Sequence, residues 1–252
     1  MNFRSASSNL FFGLVLIVLA SQVRAEPTKK PSVLFILSAH SEGYWLPEVV
    51  TPYKILTDAG FSVDFATPGG NQGIGAGGDM MSEEERLTRV SIADRLTKPL
   101  SLKVIQPQDY QALYVPGGAG PMFDLYDHPE VNRITAALFE EGKPVAADCH
   151  GPAAFAGVRL SNGVLMVRGK KLTAKSNAEE GEWARKNYPF LLEDKFNELS
   201  AHFSAAEPYQ PWVVRDGNLL TGQNPASAAP LARVLVDMLS TTNRAWSPKT
   251  QR

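Results

Sequence analysis

The chain has 252 residues, 44% hydrophobic and 20% charged, which is enough apolar material for one large or two small globular domains and too much for a disordered chain. Lys plus Arg (25) nearly balance Asp plus Glu (26), leaving a formal net charge of −1, which argues against nucleic acid as a partner. A single cysteine, Cys149, excludes an intramolecular disulfide framework and any thiolate-rich metal cluster.

Residues 1–25 read as a secretory signal: Arg4 supplies a positive start, Leu10 to Ala20 is an unbroken apolar run, and Val23-Arg24-Ala25 offers a cleavage site before Glu26. The run is short for a bilayer span, so the expectation is export with cleavage, to a bacterial periplasm in preference to secretion, and no membrane contact afterwards. Residues 26–30 form a short tail, 31–240 a single α/β domain and 241–252 a C-terminal tail. An unpaired cysteine in an exported protein calls for a reason, because oxidising compartments favour paired or absent cysteines.

From Pro31 onward, short β-branched runs alternate with helical stretches, the pattern of a mostly parallel sheet flanked by helices. Val33 to Leu37 is the first strand. Pro47 to Ala59 is a helix stopped by Gly60, with Pro52 expected to kink its first turns. Phe61 to Ala66 is the second strand, and the Gly-rich stretch Thr67 to Gly78 is a loop. Ser82 with Glu85 is a capping box that opens the next helix. Ala112 to Val115 is a strand, Pro129 to Glu141 a helix, and Pro144 to Ala147 a strand. Gly169 to Thr173 and Trp212 to Thr221 read as edge strands, the latter a hairpin turned at Asp216-Gly217-Asn218, and Ala226 to Leu239 is the last helix.

The fourth strand runs into Asp148-Cys149-His150-Gly151-Pro152-Ala153-Ala154, the layout of a nucleophile elbow: a sharp strand-to-helix turn lifts a side chain above the sheet while small residues let the helix pack close. A thiol facing a helix start is expected to have its pKa lowered. The alternative is that Cys149 is simply a small buried apolar residue. Gly117-Gly118-Ala119-Gly120 follows another strand, and its amides, with that of His150, are candidates for an oxyanion hole. It lacks the Lys-Ser/Thr end that a phosphate loop needs. His40, His128, His150 and His202 sit at no familiar ligand spacing, so no metal is expected. His40, Tyr44 and Trp45 are candidates for pocket walls.

The motifs Gly43-Tyr44-Trp45-Leu46-Pro47-Glu48, Pro116 to Pro121, Asp148 to Ala153 and Thr221 to Ser227 together resemble the ThiJ/PfpI family, in the class I glutamine amidotransferase-like superfamily and nearest its glyoxalase III and holding-chaperone branch. The resemblance implies a flavodoxin-like α/β sandwich and no cofactor. It implies Cys149 as nucleophile, His150 beside it, Glu48 as the carboxyl near the thiol and Glu180 as the acid that orients the histidine, with Glu179 the alternative. It also implies a homodimer. The residues themselves leave Glu48 readable as a helix first-turn acid, and Asn177 with Glu180 readable as a capping box. Two departures stand out: Ala119 where the branch often has histidine, and Asp148 where an apolar residue is more usual. Strand alternation should aim Asp148 away from the sulfur.

The leading functional expectation is a cofactor-independent hydrolyase that converts small dicarbonyls such as methylglyoxal into hydroxy acids through a Cys149 hemithioacetal. The same thiol would also serve an amidase, peptidase or deglycase, with a small amide substrate in place of the aldehyde. A non-catalytic holding chaperone or redox sensor is the third reading.

Overall fold

The computed structural model describes residues 32–246; the signal segment and residues 26–30 lie outside the described residues, and the last helix runs to Trp246, past the expected end at Leu239 and into the segment expected to be a C-terminal tail. In chain order the elements are β1 (Ser32–Ile36), β2 (Tyr44–Trp45), α1 (Pro47–Asp58), β3 (Ser62–Thr67), β4 (Gly75–Ala76), α2 (Glu83–Ser91), α3 (Ala93–Thr97) and β5 (Leu100–Ser101). There follow β6 (Ala112–Val115), α4 (Pro121–Asp124), α5 (Pro129–Glu140), β7 (Val145–Asp148), α6 (Ala153–Ala156), β8 (Lys171–Leu172), α7 (Glu182–Asn187) and α8 (Leu192–Glu198). The chain closes with β9 (His202–Phe203), β10 (Val213–Asp216), β11 (Leu219–Gly222) and α9 (Ala228–Trp246).

Seven strands form one sheet in the order β10-β11-β7-β6-β1-β3-β5, parallel throughout except for the β10-β11 hairpin. The central strands are buried on both faces, as β1 with the sequence SVLFI and no exposed residue shows, which is why they read as continuous apolar runs. Alternate residues feed two cores. Leu34, Ile36, Leu113, Val115, Val145 and Ala147 pack under α4, α5, α6 and α8. Val33, Phe35, Tyr114, Ala146 and Leu220 pack under α1 and α9. The helices on both faces leave the C-terminal ends of β1, β6 and β7 together at one edge, where parallel sheets place their sites.

Several details depart from expectation. The Lys171–Leu172 strand is no edge of the main sheet; it pairs only with His202–Phe203 in a separate two-stranded sheet. β11 is likewise internal, between β10 and β7, and the edge is β10. Within the Gly-rich stretch, Gly75–Ala76 pairs with Tyr44–Trp45, and the missing side chain of Gly75 leaves room for Leu46, whose Cγ would lie 2.6 Å from a Cβ there. The helix α1 runs on through the buried Pro52. The second capping box is one residue earlier than expected, Ser176 with Glu179, which leaves Glu180 outside it.

Candidate active site

β7 ends at Asp148, and the chain reverses at once: the Gly151 amide donates to the Asp148 carbonyl at 2.7 Å and the Ala153 amide to that of His150 at 3.0 Å. Cys149 sits at the apex with φ 55°, a left-handed backbone that a residue with a Cβ rarely adopts. The strained conformation is held from both sides. The Cys149 amide donates to the Gly222 carbonyl (3.0 Å), and its carbonyl accepts from the Lys175 amide (2.9 Å). Sequence and backbone thus agree on an elbow that lifts the thiol off the sheet, while leaving the residue only 6% exposed.

His150 bridges the thiol to an acid. Its Nδ1 lies 3.5 Å from Cys149 Sγ and its Nε2 lies 2.9 Å from Glu180 Oε1, with the Tyr188 ring set edge-on 5.1 Å away. Glu179 faces elsewhere: its carboxylate accepts from Gln223 Nε2, Asn224 Nδ2 and the Tyr209 amide. Burial alone would raise the Glu179 pKa, but these donors outweigh it and hold the carboxyl below its usual range.

Glu48, in the first turn of α1, is fully buried and accepts the Gly117 amide at 2.9 Å through Oε2. Its Oε1 has no partner in ordinary hydrogen-bond geometry. Burial pushes this carboxyl up to about 8, against opposing pulls from the Cys149 thiol, the Gly117 amide and Lys175. The expected lowering of the thiol is reversed. Burial, then the Glu48 charge, raises Cys149 well above its ordinary value; Lys175 and the Gly118 amide pull it down, and Asp148 adds to the rise. The helix expected to favour the thiolate is the four-residue α6, which begins beyond the turn at Ala153.

Asp148 follows the alternation of β7 onto the α1 and α9 face, with Ala146 and Tyr114. It is fully buried beside the Tyr114 hydroxyl, and burial together with the Glu48 charge raises its pKa well above its ordinary value.

The loop after β6 is clamped against β2: the Trp45 amide donates to the Gly117 carbonyl and the Gly120 amide to that of Gly43. Gly118, at φ +95°, passes so near that a Cβ would lie 2.6 Å from the Trp45 nitrogen. Gly117 is a correction to the expected oxyanion hole, because its amide is already committed to Glu48. The Gly118, Ala119 and His150 amides remain, around a cavity of about 270 Å³ lined by Trp45, Gly118, Ala119, Cys149, His150, Lys175 and Pro225.

The family's sequence model, described as the DJ-1/PfpI family, matches residues 31–238. The chain belongs to the DJ-1/PfpI family. Among its relatives, a probable glutathione-independent glyoxalase of Schizosaccharomyces pombe is 33% identical over 52% of this chain and 62% of that protein, so the match spans less than two thirds of the relative. The glutathione-independent glyoxalase HSP31 of Saccharomyces cerevisiae is 28% identical over 82% of this chain and 93% of that protein. Among solved structures, the Rapid Encystment Protein 24 KDa of Francisella tularensis superposes with TM-score 0.78 at 26% identity, covering 83% of this chain and 99% of that one.

In this DJ-1/PfpI chain, His40 stands apart from the cavity, stacked 4.6 Å from the Phe123 ring, and Tyr44 is packed in the core. His128 caps α5 by accepting the Glu130 amide. Among the described residues, no group of three or more His, Cys, Asp or Glu is placed to hold a metal. Sequence reasoning missed Lys175 and Pro225. Pro225 lay in a motif already singled out, and Lys175 directly precedes Ser176 of the Ser176 to Glu180 segment.

Proposed function

We propose that this chain is a cofactor-independent glyoxalase, converting small 2-oxoaldehydes such as methylglyoxal to 2-hydroxy acids, with Cys149 as nucleophile. The observation that carries the reading is the line from Glu180 Oε1 through His150 to the Cys149 thiol, 2.9 and 3.5 Å long, opening on a small cavity. Relatives named as glutathione-independent glyoxalases support the choice of substrate class.

A thiol that burial keeps protonated needs a base at the moment of attack, and His150 Nδ1 is within reach of its proton. The Glu180 carboxylate stabilises the imidazolium that results. The sulfur adds to the aldehyde carbon, and the new alkoxide faces the Gly118 and His150 amides. The imidazolium returns its proton to the alkoxide, and the neutral His150 then moves the proton on that carbon to the adjacent carbonyl carbon through an enediol. A thioester results, and one water opens it to the hydroxy acid and frees the thiol. The sum is addition of a single water, with no outside electron donor or acceptor. Glu48, whose carboxyl burial pushes up to about 8, keeps Gly117 against the elbow by accepting its amide. Incubation with methylglyoxal and assay of lactate tests the proposal. Turnover that survives Cys149→Ala, or no turnover by the wild type, refutes it; amine release from amides without lactate would move the thiol to acyl transfer.

Residues 1–25 support export as a second part of the proposal. N-terminal sequencing of the mature protein should then begin at Glu26.

A further inference from the structure

One cation reaches the cavity above the thiol. Lys175 lines it beside Cys149 and His150, with its side chain only 13% exposed. Its Nζ lies 5.5 Å from the centre of the Tyr209 ring and 3.8 Å from Glu179 Oε1, the latter beyond hydrogen-bond reach. Glu179 is already engaged: Oε1 accepts from the Tyr209 amide (2.8 Å) and Asn224 Nδ2 (2.9 Å), and Oε2 from Gln223 Nε2 (2.9 Å) and Ser176 Oγ (3.1 Å). Among the described residues no acceptor takes a hydrogen bond from the Lys175 ammonium, a group with three donors. The other acids nearby do not compete. Glu180 is occupied by His150, and Glu48 is turned toward Gly117. A positioned, mostly buried ammonium with unused donors, facing a cavity that ends at a nucleophile, is a recognition group for an anion.

We propose that Lys175 selects substrates bearing a carboxylate: small 2-oxoaldehydes with an anionic group a few atoms from the carbonyl that Cys149 attacks. The inference rests on Cys149 as the attacking atom and narrows the substrate class of that site. The carboxylate docks on Nζ through charge-assisted hydrogen bonds and fixes the carbonyl over the sulfur. The overall conversion is unchanged, addition of one water to the 2-oxoaldehyde.

Alkylation of Cys149 by iodoacetate and by iodoacetamide reads this directly, because the reagents are alike in size and differ by one negative charge. In both, the thiolate displaces iodide and a carbon–sulfur bond forms. The ratio of their rate constants cancels the thiolate fraction, which affects both equally. In the wild type the iodoacetate to iodoacetamide ratio should exceed that of a free small thiol at the same pH. It should fall roughly tenfold in Lys175→Met and recover in Lys175→Arg. A wild-type ratio no higher than the free thiol's, or one unchanged in Lys175→Met, overturns the proposal. The wild-type comparison holds even if the variant fails to fold. A ratio that behaves as expected, alongside no 2-hydroxy acid from either methylglyoxal or a carboxylate-bearing 2-oxoaldehyde, overturns the glyoxalase reading and leaves anion selection standing.

Discussion

His150 Nε2 lies 2.9 Å from Glu180 Oε1, while the carboxylate next in sequence, Glu179, accepts from Gln223, Asn224 and the Tyr209 amide instead. The two adjacent acids therefore answer to different measurements. Glu180→Ala removes the group that orients His150 and stabilises its charged form, so kcat with methylglyoxal should fall by roughly 10²- to 10⁴-fold with little change in stability. Glu179→Ala removes the acceptor that Gln223, Asn224, Ser176 and the Tyr209 amide share, and should lower the unfolding free energy by about 2–4 kcal/mol in a denaturant titration. Equal effects of the two substitutions on kcat would contradict this division.

Glu48 carries a pH signature. Its carboxyl rises from an ordinary 4.5 to about 8 on folding, chiefly through burial. The folded state therefore holds a proton that the unfolded chain releases, and the stability this confers is complete below about 4.5 and is lost as pH climbs through about 8. Glu48→Gln is neutral throughout and keeps an oxygen for the Gly117 amide. Its stability relative to the wild type should improve from pH 5 to pH 9, by on the order of 2–4 kcal/mol, in parallel denaturant titrations. A pH-independent difference would mean that Glu48 is ionised in the folded protein.

Much of this site was legible before any coordinates, and the reasons for the failures are physical. The elbow was visible because its ingredients are contiguous: an apolar strand, Cys149, then Gly and Pro opening a helix. The sheet was visible because each central strand is buried on both faces and so reads as an apolar run. The capping box at Ser176 slipped by one residue because Ser176 with Glu179 and Asn177 with Glu180 have the same spacing and equally good cap residues. The Gly117 amide was misassigned because its acceptor lies 69 residues away on α1. The sign of the thiol shift depends on burial among Glu48, Asp148 and Lys175, which local spacing does not report.

Gly117 is the position where the smallest change should do the most damage. A Cβ there would stand 2.5 Å from Cys149 Cβ and 2.8 Å from the His150 nitrogen, both in the tightly held elbow, and 2.7 Å from Glu48 Oε2, the carboxylate oxygen that accepts the Gly117 amide. Gly117→Ala should destabilise the fold by about 1–3 kcal/mol and reduce lactate formation by roughly 100-fold or more, since displacement of the thiol by a fraction of an ångström is enough to misalign attack. Thermal unfolding and steady-state kinetics on the same preparation separate the two losses. Retention of both would show that the loop and the elbow part more easily than these distances allow.

Cys149 stores strain that its removal should reveal. At φ 55° its Cβ crowds the backbone, a conformation costing on the order of 1 kcal/mol that glycine adopts freely. The hydrogen bonds to Gly222 and Lys175 hold the residue there and involve only backbone atoms, so they survive any substitution that keeps the main chain. Cys149→Ala retains the Cβ and with it the strain; Cys149→Gly releases it, offset in part by the greater freedom of glycine in the unfolded chain. Both variants lose the sulfur and with it all turnover, so activity cannot distinguish them. Their stabilities can: Cys149→Gly should exceed Cys149→Ala by a few tenths of a kcal/mol in denaturant titrations, roughly 1 kcal/mol of strain less the partial offset. The reverse order would place the elbow outside the left-handed region, and the geometry that raises the thiol above the sheet would have to be sought elsewhere.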